Sequence, residues 1–450
     1  MTCLPPMRRV LLAACLWMLA AGAGADHLFV NGTLLTLTED GRQRADLRVI
    51  DGRIAAIGPD LAPGPDTEVI DLAGGFLMPG LAEMHAHVPA PDQGRAYRDD
   101  VLFLWVANGV TTVRGMLGHP EHLALRRDLA AHEVLGPRLI TAGPSFNGET
   151  VTSPAQARRR AREQAAAGYD FLKIHPGLTR AEYDAVADEA ARLGIPFGGH
   201  VPAEVGLLHA IAAGQRTVDH LDGFMQALVD DDAAAASGGG SLFGLALASS
   251  VDLHRLPGLV ERMRDAGTWV VPTETLIENF AAADRIPELL DRPETAYLPP
   301  HLRRRYEQAL ARASLGSEAA RRALAVRKRQ IAALHQGGVG LLLGSDSPQI
   351  FNVPGFSIHR ELEALVAAGL GPTEALRTGT DAPARFLDRT DDFGALRTGL
   401  AADLVWLRAD PTVEVAATRQ IAGVMVRGRW LDRATLDAGL ADIRQRYTAD

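Results

Sequence analysis

The chain has 450 residues, 47% of them hydrophobic and 22% charged, with a formal net charge of −9. That length and apolar content suit one large domain plus a smaller one, each with its own core. The acidic balance, with no basic run along a candidate groove, argues against nucleic acid and anionic membrane surfaces as partners and leaves a small-molecule substrate.

In chain order, residues 1–25 read as a secretory signal: Arg8-Arg9, an apolar run from Val10 to about Ala20, and Ala23-Gly24-Ala25 before Asp26. The mature protein is expected to begin near Asp26 and to be periplasmic or secreted. The apolar run is too short to span a bilayer, so no stable membrane association is expected unless the chain is lipidated. Leu12-Ala13-Ala14-Cys15 supplies that alternative, because it matches a lipoprotein-type cleavage box at Cys15. Both cysteines, Cys3 and Cys15, fall within the signal, so the mature chain would carry no disulfide.

Residues 26–78 alternate short apolar strands with turn residues, as in Leu28-Phe29-Val30-Asn31-Gly32 and Leu47-Arg48-Val49-Ile50-Asp51-Gly52. A Gly- and Pro-rich link, Gly74-Gly75-Phe76-Leu77-Met78-Pro79-Gly80, leads into the next segment. Residues 388–435 repeat the strand-and-Gly signature, and the two ends are expected to build one small composite β-sandwich domain. Residues 436–450 read as a C-terminal tail. Between the ends, residues 79–387 alternate apolar strand-like runs with amphipathic helical ones, the pattern of a parallel α/β fold. Strands are expected near 81–87, 110–115, 138–143, 170–175, 195–200, 216–221, 268–273 and 339–346, with helices such as Ser153–Ala167 and Thr179–Leu193 between them. Eight such units make the expected fold a (β/α)8 TIM-like barrel. A long excursion over 222–257 contains Asp230-Asp231-Asp232 and an Ala/Gly-rich stretch to Ser241, which reads as a mobile lid or a surface loop.

His85, His87, Lys173, His200, His220 and Asp346 each stand at the end of an apolar run, where a barrel places its catalytic groups. Imidazole and carboxylate are ligands that a zinc-like divalent ion takes. The lysine is informative because only Lys173 and Lys328 occur among 46 basic residues. Lys328 lies in a helical run where a solvated charge explains it. Lys173 lies in a strand, where an unpaired ammonium is costly and where an amine, unlike a guanidinium, can lose its proton. Such an amine can react with carbon dioxide to give a carbamate. His175 shares a strand face with Lys173, and Arg114 and His359 also follow or end strands, so these three are expected to meet substrate.

The ordered set Met78-Pro79-Gly80-Leu81 before His85-Ala86-His87, then Phe171-Leu172-Lys173-Ile174, Gly199-His200-Val201-Pro202, Val218-Asp219-His220 and Gly344-Ser345-Asp346 resembles the amidohydrolase superfamily of the binuclear, carboxylated-lysine type. Prolidase-like and imidazolonepropionase-like proteins are among the similar members. The resemblance implies two divalent metal ions, zinc first, with manganese or another ion as the alternative. It places one on His85 and His87, a second on His200 and His220, and a carbamate from carbon dioxide on Lys173 between them. It also implies that Asp346 ligates the first metal and acts as general base toward a bridging hydroxide. The implied reaction is hydrolysis of a C–N (amide) bond in a dipeptide or N-acyl amino acid. Lactone or ester hydrolysis on the same centre, a Schiff-base role for Lys173, and a non-catalytic binding scaffold are the competing readings.

Overall fold

The computed structural model describes residues 26–38, 41–230, 242–312 and 317–448. The signal segment with both cysteines, and residues 231–241 of the excursion, lie outside the described residues. Seven short strands open the chain: β1 (Asp26–Val30), β2 (Thr33–Leu35), β3 (Arg42–Arg44), β4 (Asp46–Ile50), β5 (Arg53–Gly58), β6 (Thr67–Asp71) and β7 (Phe76–Pro79). Three more close it: β15 (Leu404–Leu407), β16 (Ile421–Val426) and β17 (Arg429–Asp432). They form two sheets, ordered β5-β4-β1-β6 and β17-β16-β15-β7-β2-β3. The second is built from both chain ends, since Leu77 of β7 pairs antiparallel with Trp406 of β15. One core holds the two sheets together: Phe29, Leu47 and Ile54 from the first pack with Leu34, Leu77, Leu404 and Met425 from the second.

The central segment is mixed α/β. It supplies β8 (Leu81–Ala86), β9 (Val110–Gly115), β10 (Arg138–Thr141), β11 (Leu172–Ile174), β12 (Phe197–Gly199), β13 (Thr217–Asp219) and β14 (Trp269–Val271). These run parallel in two sheets, β10-β9-β8 and β11-β12-β13-β14. Single parallel bridges, Ala142 to Phe171, Val270 to Leu341 and Ala86 to Ser347, lie at the sheet ends. The run 339–346 is therefore not the eighth strand that its apolar residues suggest. Leu342 and Leu343 bond to Val270 on one side and to Met84 and Thr378 on the other, but without a continuous ladder. Glycines explain the interruption, because Gly340 and Gly344 carry the backbone so close to Trp269 and His85 that a Cβ would fall 2.2 Å and 2.8 Å from them.

Two helices begin where local chemistry predicts. Ser153 caps Pro154–Ala167 by accepting from the Gln156 amide, and Gly168 ends it in the left-handed region. Thr179 and Glu182 form a capping box on Arg180–Leu193, a contribution of about 1 kcal/mol. Residues 433–448, expected as the end of the β domain and a tail, form one helix instead. Its Leu436 and Ile443 are buried, and Tyr447 donates its hydroxyl to Asp100 at 2.6 Å. Among the described residues no helix is long and apolar enough to cross a membrane.

Candidate metal centre

Strand ends converge on one point. His85 and His87 leave the end of β8, Lys173 lies in β11, His200 and His220 follow β12 and β13, and Asp346 follows Ser345. His85, His87 and Asp346 each bring a ligand atom within 4.8 Å of one another. His220 extends the group, its ring 4.5 Å from that of His85 and 4.6 Å from that of His200. His175 stacks on His200 at 4.9 Å. Of the residues named from sequence, then, seven lie together: the six ligand candidates and His175.

Backbone and glycines shape the cluster. His220, Thr273 and Asp346 all hold left-handed φ values of 63°, 50° and 61°, a strained state for non-glycine residues that collects at functional sites. Gly199 has φ +124, and a Cβ on it would lie 2.8 Å from Lys173 Cδ and 2.5 Å from Ile174 O, so the bare glycine makes room for the lysine stem. Arg327, fully buried, donates to the carbonyls of His220 at 2.8 Å and Pro272 at 3.1 Å and to Glu274 at 2.8 Å, tying down two strand ends.

Two imidazoles of the cluster have Nδ1 bonded to a neighbour, and a third has it beside a carboxylate. His200 Nδ1 lies 2.6 Å from Asp222 Oδ2, His220 Nδ1 lies 2.7 Å from Thr273 Oγ1, and His85 Nδ1 lies 3.0 Å from Asp219 Oδ2. That leaves Nε2 of His200 and His220 free to ligate, the arrangement that fixes tautomer and ring orientation in metal sites, whereas His85 Nδ1 completes no hydrogen bond among the described residues. Burial, the largest cause, pushes the pKa values of His85 and His220 well below the ordinary range, and lowers that of His175 to about 2. All three are neutral imidazoles at pH 7, the form a metal takes.

Lys173 is fully buried, and its Nζ makes no hydrogen bond among the described residues; the nearest charge is Asp219 Oδ2 at 3.5 Å. Burial lowers its pKa, against the pull of Asp219 and Asp346. Asp346 is held below the usual carboxylate range: burial alone would raise it, but His85, His87 and Lys173 outweigh that. Its Oδ1 stands 2.8 Å from His87 Nε2, and Gln349 donates to its Oδ2 at 3.0 Å. Neither oxygen of Asp219, nor Asp346 Oδ1, completes a hydrogen bond among the described residues. Buried polar atoms left out of line with one another, on residues of metal-ligand type, fit a cation set among them.

Two expectations need correction. His359 is buried on the helix Phe356–Ala367 with its Nδ1 2.9 Å from Thr418 Oγ1, so it packs the helix on the C-terminal segment and lines no part of the cluster. Arg114 is enclosed between the rings of Phe171 and Phe386, donates to Met84 O at 2.7 Å, and faces Asp219 at 3.5 Å, which makes it a buried supporting cation rather than a group presented at the strand ends. Asp219, Asp222, Thr273, Gln349 and Arg327 were missed. The signal for Asp219 was present, since it directly precedes His220 in a strand; the others come from segments whose approach only the tertiary fold decides.

Beside His200 and Asp222 opens a cavity of about 880 Å³, also lined by Arg180, Gln226, Phe243 and Arg255. Phe243, from the far side of the excursion, brings its ring 5.4 Å from that of His220.

Fold and site together define a mixed α/β protein with a strand-end cluster of metal-ligand type. Residues 76–431 match the profile of the amidohydrolase family. The chain belongs to that family. It is similar to the adenine deaminase of Ruegeria pomeroyi, 26% identical over 45% of this chain and 37% of that protein. It is also similar to the dihydroorotase of Mycobacterium tuberculosis, 46% identical over 13% of each. The matches span 37% of the deaminase's length and 13% of the dihydroorotase's. Among solved structures, a bottromycin amidohydrolase aligns with a TM-score of 0.71 at 25% identity, covering 94% of this chain and 90% of that one. A Xaa-Pro dipeptidase with bound methionine aligns with a TM-score of 0.66 at 20% identity, covering 91% and 100%.

Proposed function

We propose that this protein is a metal-dependent hydrolase that cleaves a C–N bond of a small substrate, with a dipeptide or N-acyl amino acid as the substrate class. The observation that carries the reading is the cluster of imidazoles, two of them with Nδ1 bonded to Asp222 and Thr273, set around a fully buried lysine whose Nζ makes no hydrogen bond among the described residues. Family membership and the prolidase-like and amidohydrolase structural neighbours support it. The two parallel sheets and the single bridges at their ends support a (β/α)8 barrel as the frame.

His85, His87 and Asp346 would hold one divalent ion and His200 and His220 a second, with Lys173 between them as the carbamate formed from carbon dioxide with release of a proton. When bound, such ions act as Lewis acids and lower the pKa of water toward about 7. The chain supplies the rest. Asp346, held below the usual carboxylate range and oriented by Gln349, accepts a proton and delivers it to the leaving nitrogen. Asp222 and Thr273 keep the His200 and His220 rings in place, and the cavity beside His200 takes the substrate body.

The test is metal analysis followed by a screen. About two equivalents of zinc or manganese per chain, and release of amino acid from dipeptides or N-acyl amino acids that chelation abolishes, support the reading. Retention of no metal after reconstitution overturns it in favour of a binding scaffold, and activity confined to lactones moves the substrate class. Residues 1–25 we assign to export to the periplasm or beyond; intact mass of the processed protein checks cleavage before Asp26 against lipidation at Cys15.

A further inference from the structure

A second cavity, of about 580 Å³, opens at the opposite end of the strands from the metal-ligand cluster. It lies where β11, β12 and β13 begin, and its wall includes the segments Gly194-Ile195-Pro196 and Ala213-Gly214 that lead into two of them. A barrel end is ordinarily filled by layers of inward side chains. Here Gly198 contributes none to its layer, and a Cβ on it would lie 2.3 Å from Thr217 Oγ1.

The lining is aromatic and cationic. Phe171, Phe197 and Phe386 are buried and form the apolar wall. The Arg114 and Arg216 guanidiniums stand 5.2 Å and 5.4 Å from the Phe386 ring, so two cations bracket one aromatic face. Arg114 is fully buried, and its Nη2 makes no hydrogen bond among the described residues; Asp219 Oδ1 faces it at 3.5 Å. Arg216 has no carboxylate within ion-pair distance among the described residues, and its guanidinium stands over the apolar Phe386 ring. Asp170 also lines the cavity, but one of its oxygens already accepts from Arg126 at 2.7 Å and from the Thr141 amide at 2.8 Å. Asp388 and Arg389 on the lining are both exposed, and Arg389 stands 3.9 Å from Asp392. The interior therefore holds surplus positive charge beside an apolar wall.

We propose that this basal cavity binds a small organic anion with an apolar body, an aromatic carboxylate by class, its ring against Phe171, Phe197 and Phe386 and its carboxylate on Arg114 and Arg216. Charge-assisted hydrogen bonds to guanidinium are the strong kind in such a place, and a flat apolar body fits a wall of phenyl rings. Arg114 also faces Asp219 beneath the metal-ligand cluster, so the test rests on Arg216, which touches none of the metal-ligand candidates.

Benzoate is the probe, benzamide the neutral isostere, and calorimetric titration of the metal-loaded protein the measurement. The expected result is saturable binding of benzoate, binding of benzamide weaker by about tenfold or more, and a loss of about tenfold or more in Arg216→Gln, the effect of removing one charge-assisted bond. Arg216→Lys should keep part of the affinity. Leu387→Trp, which fills the half-buried edge of the cavity, should abolish binding without removing a charge, and serves if Arg216→Gln does not fold. Equal binding of benzamide, no saturable binding at millimolar benzoate, or benzoate binding unchanged in both Arg216→Gln and Leu387→Trp, which would place it at the strand-end cluster, overturns the proposal.

Discussion

Asp219 faces His85: its Oδ2 lies 3.0 Å from His85 Nδ1 and both side chains are buried, with neither atom completing a hydrogen bond among the described residues. Lys173 Nζ and Arg114 Nη2 flank the same carboxylate at 3.5 Å each, so one buried aspartate is shared by a ligand imidazole, the strand lysine and the supporting arginine. Burial would raise its pKa, but Lys173 and Arg114 keep it below the ordinary value.

Asp219→Asn should retain the fold and lose metal affinity by about 10–100-fold, the usual cost of removing a partner that orients a ligand histidine. Competition with a metal-sensitive dye measures this directly. Affinity equal to wild type would reduce Asp219 to a packing role.

Asp346→Asn keeps the shape of the side chain, and Gln349 can still meet its carbonyl oxygen, but the proton acceptor is gone. Turnover should fall by about 10²–10⁴ in kcat with KM little changed. Steady-state kinetics on the substrate found by screening decides it; a loss of only a few-fold would move the base to His175.

Lys173→Ala should lose most activity and leave a space, beside Gly199, that a short carboxylate can enter. Formate, acetate or propionate should restore part of the rate. Lys173→Arg should not respond, because guanidinium fills the space and stays charged. A fully active Lys173→Arg protein would make the lysine a structural cation.

His359 provides a pH test far from the cluster. Burial, the largest cause, lowers its pKa to about 3. The unfolded chain, with an ordinary histidine near 6.5, binds more protons between those values. Its contribution is therefore fully present above about pH 6.5 and is lost as pH falls toward 3, by about 1.4 kcal/mol per pH unit. His359→Gln, which can still hydrogen-bond Thr418, should flatten the fall of stability with acid by that amount in urea melts at successive pH values. Parallel curves for the two proteins would show that the histidine titrates normally.

The metal-ligand candidates were legible because each ends an apolar run, and chain order with strand alternation is local information. The lysine stood out by composition alone. What held those ligands was not legible: Thr273 meets His220, Asp222 meets His200 and Arg327 meets both strand ends only after the strands come together. Arg114 and His359 failed for one reason, since position after a strand does not say whether a long or planar side chain turns toward the cluster or into packing. The run 339–346 was apolar enough for a strand, yet its glycines let the backbone pass too close to His85 and Trp269 for a regular ladder. Helix 433–448 has a weak apolar pattern, and its seat against Asp100 is a contact from the far end of the chain.

The pairing of β7 with β15 has a temporal consequence. The first seven strands emerge early in synthesis, but the six-stranded sheet has no central partner for Leu77 until Trp406 has been made. During that interval β7 is an open edge with unpaired amide groups, and such edges recruit foreign strands. Maturation should thus be slow and late, as contacts between distant residues dictate. A chain released before β15 would keep every metal-ligand candidate and still expose an adhesive border, so premature termination near residue 400 should give aggregates rather than a smaller working protein.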